Sequence, residues 1–380
     1  MLHINAAFDS GNIEVVKAED AAAIELAIRK DHQSDFYQWF HFKLHGEVGE
    51  DYCLTITNAG ESAYPDGWKD YAAVASYDRE TWFRVATEYD GKVLKIHHTL
   101  EQESVYFAYF TPYSYERHQD LIHAAQQSAL VQHELLGLTL DGRELNLLVV
   151  GAQEADHDAK KKAVWITARQ HPGESMAEWF AEGFLTRLLD DEDGVARKLL
   201  RNHVFYIIPN MNPDGSVRGH LRTNAAGVNL NREWAEPSLE RSPEVYYVLE
   251  KMKATGVDLY LDIHGDENLP YNFVAGAEGV PCFNERLEHL GQQFKQALLT
   301  ITPEFQTTYG YEQEAPGEGN LTVASNAVCE RFNCLAFTLE MPFKDNADLP
   351  DSDFGWSAPR AQQLGADVLA AIYAIADELR

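Results

Sequence analysis

Up to about Tyr115, apolar and aromatic positions come in short runs separated by Gly, Asn, Asp and Pro clusters: Gln38–Leu44, Tyr52–Ile56, Thr81–Val85 and Val105–Phe110. Their enrichment in β-branched and aromatic residues predicts the strands of an antiparallel β-sandwich. One stretch, Ala21–Lys30, carries a helical period instead.

From about His118 the pattern changes. Amphipathic stretches such as Ser175–Leu189 and Pro243–Lys253 alternate with continuous apolar runs at Leu145–Val150, Ala163–Thr167, His203–Ile208, Val257–Ile263 and Cys334–Leu339. Such runs fit strands buried on both faces. The expected fold class is therefore α/β, a mixed sheet layered with helices, preceded by the β-sandwich. The division falls in Pro112–His118, giving an N-terminal domain of residues 1–116 and a second domain of residues 117–380.

In open α/β sheets, sites form beyond the carboxyl ends of the strands. Four of the five runs lead into polar clusters: Arg169–Glu174, Asn210–Gly215, Asp262–Asp266 and Glu340–Pro342.

Composition narrows the class of partner. The 380 residues are 45% apolar and 24% charged, an ordinary globular balance. No stretch approaches the ~18 apolar residues of a membrane span, and Met1–Asn5 lacks the pattern of an export signal, so neither membrane insertion nor secretion is expected. A net charge of −29 opposes polyanions and speaks against nucleic acid as a partner. Four cysteines without a C-x-x-C pair suggest a reducing, cytoplasmic setting rather than a disulfide framework. Oligomeric state is left open.

His171 and Glu174 form H-x-x-E around a Pro172-Gly173 turn. An imidazole and a carboxylate so placed can share a zinc ion, and His264 is the natural third ligand, leaving a coordination position for water. The pair alone is weak, because with 15 histidines and 60 acidic residues it should arise by chance about twice. The order of independent signals strengthens it: His171-x-x-Glu174, then Asn210-x-Asn212-Pro213-Asp214-Gly215, Arg222, Asn229-Leu230-Asn231-Arg232, His264, and Thr338-Leu339-Glu340.

In that order the chain resembles a zinc metallocarboxypeptidase of the M14 class, specifically the cytosolic carboxypeptidase subfamily. Its first part is similar to that subfamily's leading β-sandwich through Phe8–Asn12, Gln38–Phe40, Val105–Ala108 and Pro112–Tyr115. The resemblance implies one zinc per chain, held by His171, Glu174 and His264. Zinc is a Lewis acid toward the scissile carbonyl and lowers the pKa of its water toward ~7. Glu340 would be the base that activates this water and then the acid that protonates the leaving amine. Arg222 would stabilise the oxyanion, with Arg218 the nearest misassignment. Asn231 and Arg232 would grip the terminal carboxylate of a peptide or protein tail, a task suited to the planar guanidinium fork.

Two departures from the family pattern stand out. Asn229 replaces the aspartate that many relatives use to orient a zinc-bound histidine; its carbonyl can accept the imidazole N–H without contributing a full charge. The capping tyrosine has no clean match, leaving Tyr309 and Tyr311 as candidates. Eukaryotic relatives trim glutamate tails, but no basic selector occurs in Glu314–Ala327, leaving Arg331 as the candidate. The competing readings are a zinc amidase of small N-acyl amino acids and a silent module that binds C-terminal tails.

Overall fold

The computed structural model describes residues 2–152 and 161–380. The N-terminal stretch forms two five-stranded sheets. One runs, in spatial order, His3–Asn5, His41–His45, Ser104–Ala108, Val74–Ser76 and Phe83–Arg84, antiparallel throughout. The other runs Glu14–Lys17, Ile24–Ala27, Asp51–Ile56, Leu94–Thr99 and Thr87–Tyr89, antiparallel except for the parallel pair Ile24–Ala27 with Asp51–Ile56. Alternate residues such as Phe42, Leu44, Leu54, Ile56, Ile96 and Phe107 are buried in the core, as expected where one face of each sheet is covered.

The helical expectation for Ala21–Lys30 is corrected. A single 3-10 turn, Ala21–Ala23, is capped by Asp20 and passes into the strand Ile24–Ala27. Ile24, Leu26 and Ile28 are buried while Glu25 and Ala27 are partly exposed and Arg29 is exposed, so the operative period is two. Pairing with the neighbouring strand overrides a helical pattern only ten residues long.

The third sheet has seven strands in the order Val131–Leu138, Glu144–Val150, His203–Ile208, Lys162–Ala168, Leu259–Asp266, Leu335–Pro342 and Phe273–Gly276. Its three central pairings are parallel and the outer ones antiparallel. The five inner strands correspond to the five apolar runs. The two edge strands do not announce themselves: Val131–Leu138 leaves Leu135 and Leu138 exposed, and Phe273–Gly276 is only four residues long. Among the helices, Tyr115–Ala125 is capped by Ser114 and so begins before the expected division at 116/117.

Helices Met176–Leu188 and Ala358–Ile375 cross closely at two glycines. A Cβ on Gly183 would lie 2.0 Å from the Gln362 carbonyl oxygen, and one on Gly365 2.1 Å from that of Phe180. Arg84 joins the N-terminal sheets to the chain beyond Leu335–Pro342, donating to the carbonyls of Ala72, Phe343, Lys344, Phe354 and Trp356. Tyr109 stacks on Phe343 at 4.4 Å. No helix among the described residues is long and apolar enough to cross a membrane.

Candidate metal centre and substrate cleft

The strands Leu259–Asp266 and Leu335–Pro342 continue through the residues expected just beyond them, so that His264 and Glu340 are register partners on adjacent parallel strands. His171 and Glu174 lie on the turn between Lys162–Ala168 and Met176–Leu188. That turn is braced by Arg169, buried at a left-handed φ of 57°. The Arg169 guanidinium donates to the carbonyls of Pro172 and Tyr113 and to the Glu178 carboxylate. Behind it, Asn212 donates to the Gln170 carbonyl and Asn210 to Glu178. The Asn-x-Asn motif thus supports the turn.

The three expected ligands converge. His171 Nδ1 is 2.7 Å from Glu174 Oε1, His264 Nδ1 is 2.8 Å from Glu174 Oε2, and the two Nδ1 atoms are 3.2 Å apart. All three residues are buried, and among the described residues they form the one cluster of this kind able to share a metal ion. Each imidazole turns its other nitrogen outward: His171 Nε2 to Asn229 Oδ1 at 3.1 Å, and His264 Nε2 to Asp262 Oδ2 at 2.8 Å. Outward hydrogen bonds of this sort fix the ring and direct the Nδ1 lone pair inward. Asn229 therefore fills the orienting place through its carbonyl. Asp262 is held in turn by Thr167 and Gln170.

The electrostatics favour positive charge at the centre. Burial, followed by the Arg222 charge, pushes His171 down to about 4 and keeps it neutral. Burial works against ionisation of Glu174, but His171 and His264 outweigh it and hold the carboxyl below its ordinary value. Burial likewise opposes charge on His264, yet Asp262 and Glu174 prevail and raise it. Two inward-facing nitrogens and a carboxylate suit a borderline divalent cation.

Glu340 is buried beside this cluster. Its Oε1 accepts from the Tyr311 hydroxyl at 3.1 Å, while Oε2 has no hydrogen-bond partner. Burial raises the carboxyl well above its ordinary value. A divalent cation between the three ligands would oppose that shift, since nearby positive charge favours the ionised form. Lys344 does not pair with Glu340; its ammonium faces the carbonyls of Asp66 and Asn268.

Arg222, Asn231, Arg232, Tyr309 and Tyr311 all line a cleft of about 720 Å³ that opens onto His171, Glu174 and Glu340. Arg222 Nη1 is 4.0 Å from Glu174 Oε1. Arg218 faces away, paired with Asp141 through two hydrogen bonds. Asn231 Oδ1 accepts from the Ala324 N–H, and Arg232 donates to the Asn231 carbonyl. Neither Glu233 nor Glu236 pairs with Arg232; Glu233 meets Arg241 and Ser242. The two tyrosines separate clearly. Both are half exposed, but the Tyr311 hydroxyl donates to both Asp266 and Glu340, whereas Tyr309 stacks on Tyr271 at 4.4 Å.

Arg331 is corrected as a side-chain selector: its guanidinium donates to the Ala235 carbonyl, outside the cleft. Besides Arg222 and Arg232, the cleft is lined by Lys295, paired with Glu278 at 3.3 Å.

Residues 118–364 match the family described as zinc carboxypeptidase, and residues 4–110 match the family described as cytosolic carboxypeptidase N-terminal domain. The chain belongs to the M14 zinc carboxypeptidases. Within them it is a cytosolic carboxypeptidase-type member, and its enzyme class is metallocarboxypeptidase. It is similar to a metallo-carboxypeptidase from Burkholderia cenocepacia, with 51% identity, a TM-score of 0.97 and full coverage of both chains. A metallo-carboxypeptidase from Pseudomonas aeruginosa, solved in complex with (2-guanidinoethylmercapto)succinic acid, shows 49% identity and a TM-score of 0.96, again with full coverage of both. Cytosolic carboxypeptidase 6 of Caenorhabditis elegans is 26% identical over 90% of this chain and 79% of its own.

Four residues of this M14 site, Asp262, Arg169, Phe36 and Tyr64, receive no role from the sequence, although Arg169 and Asp262 fall in polar clusters it singles out. Asp262 had an available signal, because an Asp-x-His spacing on a strand puts both side chains on one face. Arg169 is marked only by its place after an apolar run. Phe36 and Tyr64, whose rings lie 5.6 and 5.5 Å from the Arg222 guanidinium, are too distant in sequence for any spacing rule.

Proposed function

We propose that this protein is a zinc-dependent carboxypeptidase that removes C-terminal residues from peptides or protein tails, with one zinc held by His171, Glu174 and His264. The observation that carries the reading is the convergence of two imidazole nitrogens and a carboxylate next to Glu340 Oε2, a buried oxygen without a partner. Zinc bound there would supply Lewis acidity toward the scissile carbonyl and acidify water.

The chain's own residues then divide the work. Glu340 takes a proton on Oε2 and returns it to the departing amine. The Arg222 guanidinium faces the oxygen on which negative charge develops. Asn231 and Arg232 hold the terminal carboxylate, which makes the enzyme an exopeptidase. Tyr311, through its hydroxyl, orients Glu340 and closes over the substrate; Tyr309 contributes to the outer wall of the cleft. The P. aeruginosa relative is complexed with a carboxylate-bearing compound; carried over to this chain, such a carboxylate would be met by Asn231 and Arg232.

The test is a mass-spectrometric profile of a mixed peptide pool beside a pool of N-acyl amino acids. Loss of single C-terminal residues from the peptides, abolished by chelation and restored by zinc, is the expected result. Turnover confined to the N-acyl amino acids would make the protein an amidase, and tail binding without product would make it a binding module.

The neutral partner of His171 has a measurable consequence. Asn229→Asp places a full negative charge behind the ring and increases ligand basicity, so zinc affinity should rise about tenfold in competition with a chromogenic chelator. Weaker binding in that variant would show that Asn229 does not tune the metal through His171.

A further inference from the structure

Much of the grip on the segment that carries Arg222 comes from loops of the N-terminal part of the chain. We infer that Asp31 is a positioning residue for the reaction, fixing Arg222 against the scissile carbonyl. The inference rests on the reading of Arg222 as the oxyanion donor.

Asp31 is buried, and its carboxylate collects one continuous stretch of backbone. Oδ1 accepts from the Leu221 N–H at 2.7 Å; Oδ2 accepts from the N–H groups of Arg222 at 2.8 Å and Thr223 at 2.9 Å, and from the Thr223 hydroxyl at 3.1 Å. Three successive N–H groups turned toward one anion form a nest, and charge-assisted bonds of this kind are the strong ones. Leu221 and Thr223 are themselves buried. Without the carboxylate, three successive N–H groups on this segment would lose their acceptor, which favours rearrangement of the backbone that carries Arg222.

Further contacts extend the grip along the same segment. The Ser10 N–H donates to the Val217 carbonyl, and Asn12 donates to the Gly219 carbonyl. The His32 N–H reaches His220 Nε2 at 3.1 Å, while the other nitrogen of that ring meets the Thr223 carbonyl at 2.9 Å. At Gly227, whose φ is +73°, an added Cβ would lie 2.7 Å from the carbonyl oxygens of His32 and Gln33. The loop that presents Asp31 closes on itself, with the Asp31 N–H donating to the Phe36 carbonyl, and so delivers the Phe36 ring to the Arg222 guanidinium.

This arrangement sets both ends of Arg222 without consuming its donors. The backbone is fixed by Asp31. The guanidinium is flanked by the rings of Phe36 and Tyr64, and among the described residues its nearest carboxylate oxygen is 4.0 Å away. Aromatic faces attract a cation without accepting its N–H bonds in line and shield it from water, which strengthens its effect on a developing negative charge. Leu221 also accepts the Gly173 N–H at 2.8 Å, so the segment touches the turn that carries His171 and Glu174. Zinc content therefore has to be measured alongside rates.

The experiment is a double-mutant cycle of Asp31→Ala with Arg222→Ala in the full chain, following kcat, KM, zinc content and Tm on a peptide substrate. Arg222→Ala should lower kcat about 10²–10³-fold, and Asp31→Ala about 10–100-fold with KM within about threefold and zinc retained. In the Arg222→Ala background, Asp31→Ala should change kcat by less than about twofold, because residues acting through one group are not additive. Asp31→Asn, which keeps the shape and one acceptor, should recover part of the rate, and it carries the same cycle if the alanine variant does not fold. An equal loss from the Asp31 substitution in both backgrounds, an unchanged kcat, or loss of zinc would overturn the positioning role alone. Full kcat in Arg222→Ala would overturn the arginine assignment and this inference together.

Discussion

Glu340→Gln is expected to bind zinc as the parent does and to lose about 10²–10⁴-fold in kcat, the contribution of a well-placed general acid–base. The amide preserves the Oε1 contact with Tyr311 and the packing between the adjacent parallel strands Leu259–Asp266 and Leu335–Pro342. It removes the ability of the second atom to take up and release a proton. The variant should not be less stable. The folded-state value of Glu340 is raised by burial, so folding of the metal-free parent weakens as pH rises from the ordinary carboxylate range through that raised value. The amide lacks this penalty, and the Tm difference in its favour should widen with pH. A variant that keeps zinc and full turnover would remove Glu340 from the mechanism.

His171→Ala is expected to abolish zinc binding and activity together. Loss of an outer partner of a metal ligand costs about 10–100-fold in affinity, and loss of the ligand itself should exceed that. The substitution also leaves Glu174, a buried carboxylate, without one of its two imidazole partners, at a stability cost of about 1–3 kcal/mol. Zinc content by atomic absorption separates the two variants: retained without turnover in Glu340→Gln, absent in His171→Ala. Stoichiometric zinc in His171→Ala would place the metal elsewhere.

What the sequence made legible follows from how local each signal is. His171 and Glu174 are three residues apart on one turn, and His264 and Glu340 directly follow apolar runs whose burial on both faces is written in their composition. Those runs could be placed before their neighbours were known. Ala21–Lys30 was misread because a ten-residue stretch with apolar residues at several spacings fits either period, and strand pairing decided between them. The edge strand Phe273–Gly276 is defined by its pairing with Leu335–Pro342 rather than by its own pattern.

The least legible part of the site is the support around Arg222. Asp31, Phe36 and Tyr64 lie more than 150 residues from the arginine in the chain, and nothing in their local sequence marks them. In the folded protein a loop of the N-terminal sheets brings Tyr64 to the cleft lining, and Arg84 ties the same sheets to the chain just beyond Glu340.

The most direct measurement is an anomalous diffraction map at the zinc absorption edge on crystals of the zinc-loaded protein. The account predicts a single strong peak per chain about 2 Å from His171 Nδ1, His264 Nδ1 and a Glu174 oxygen, with Glu340 close by but not coordinated. A peak bound by other residues, or no peak at those three in crystals of active enzyme, would contradict it.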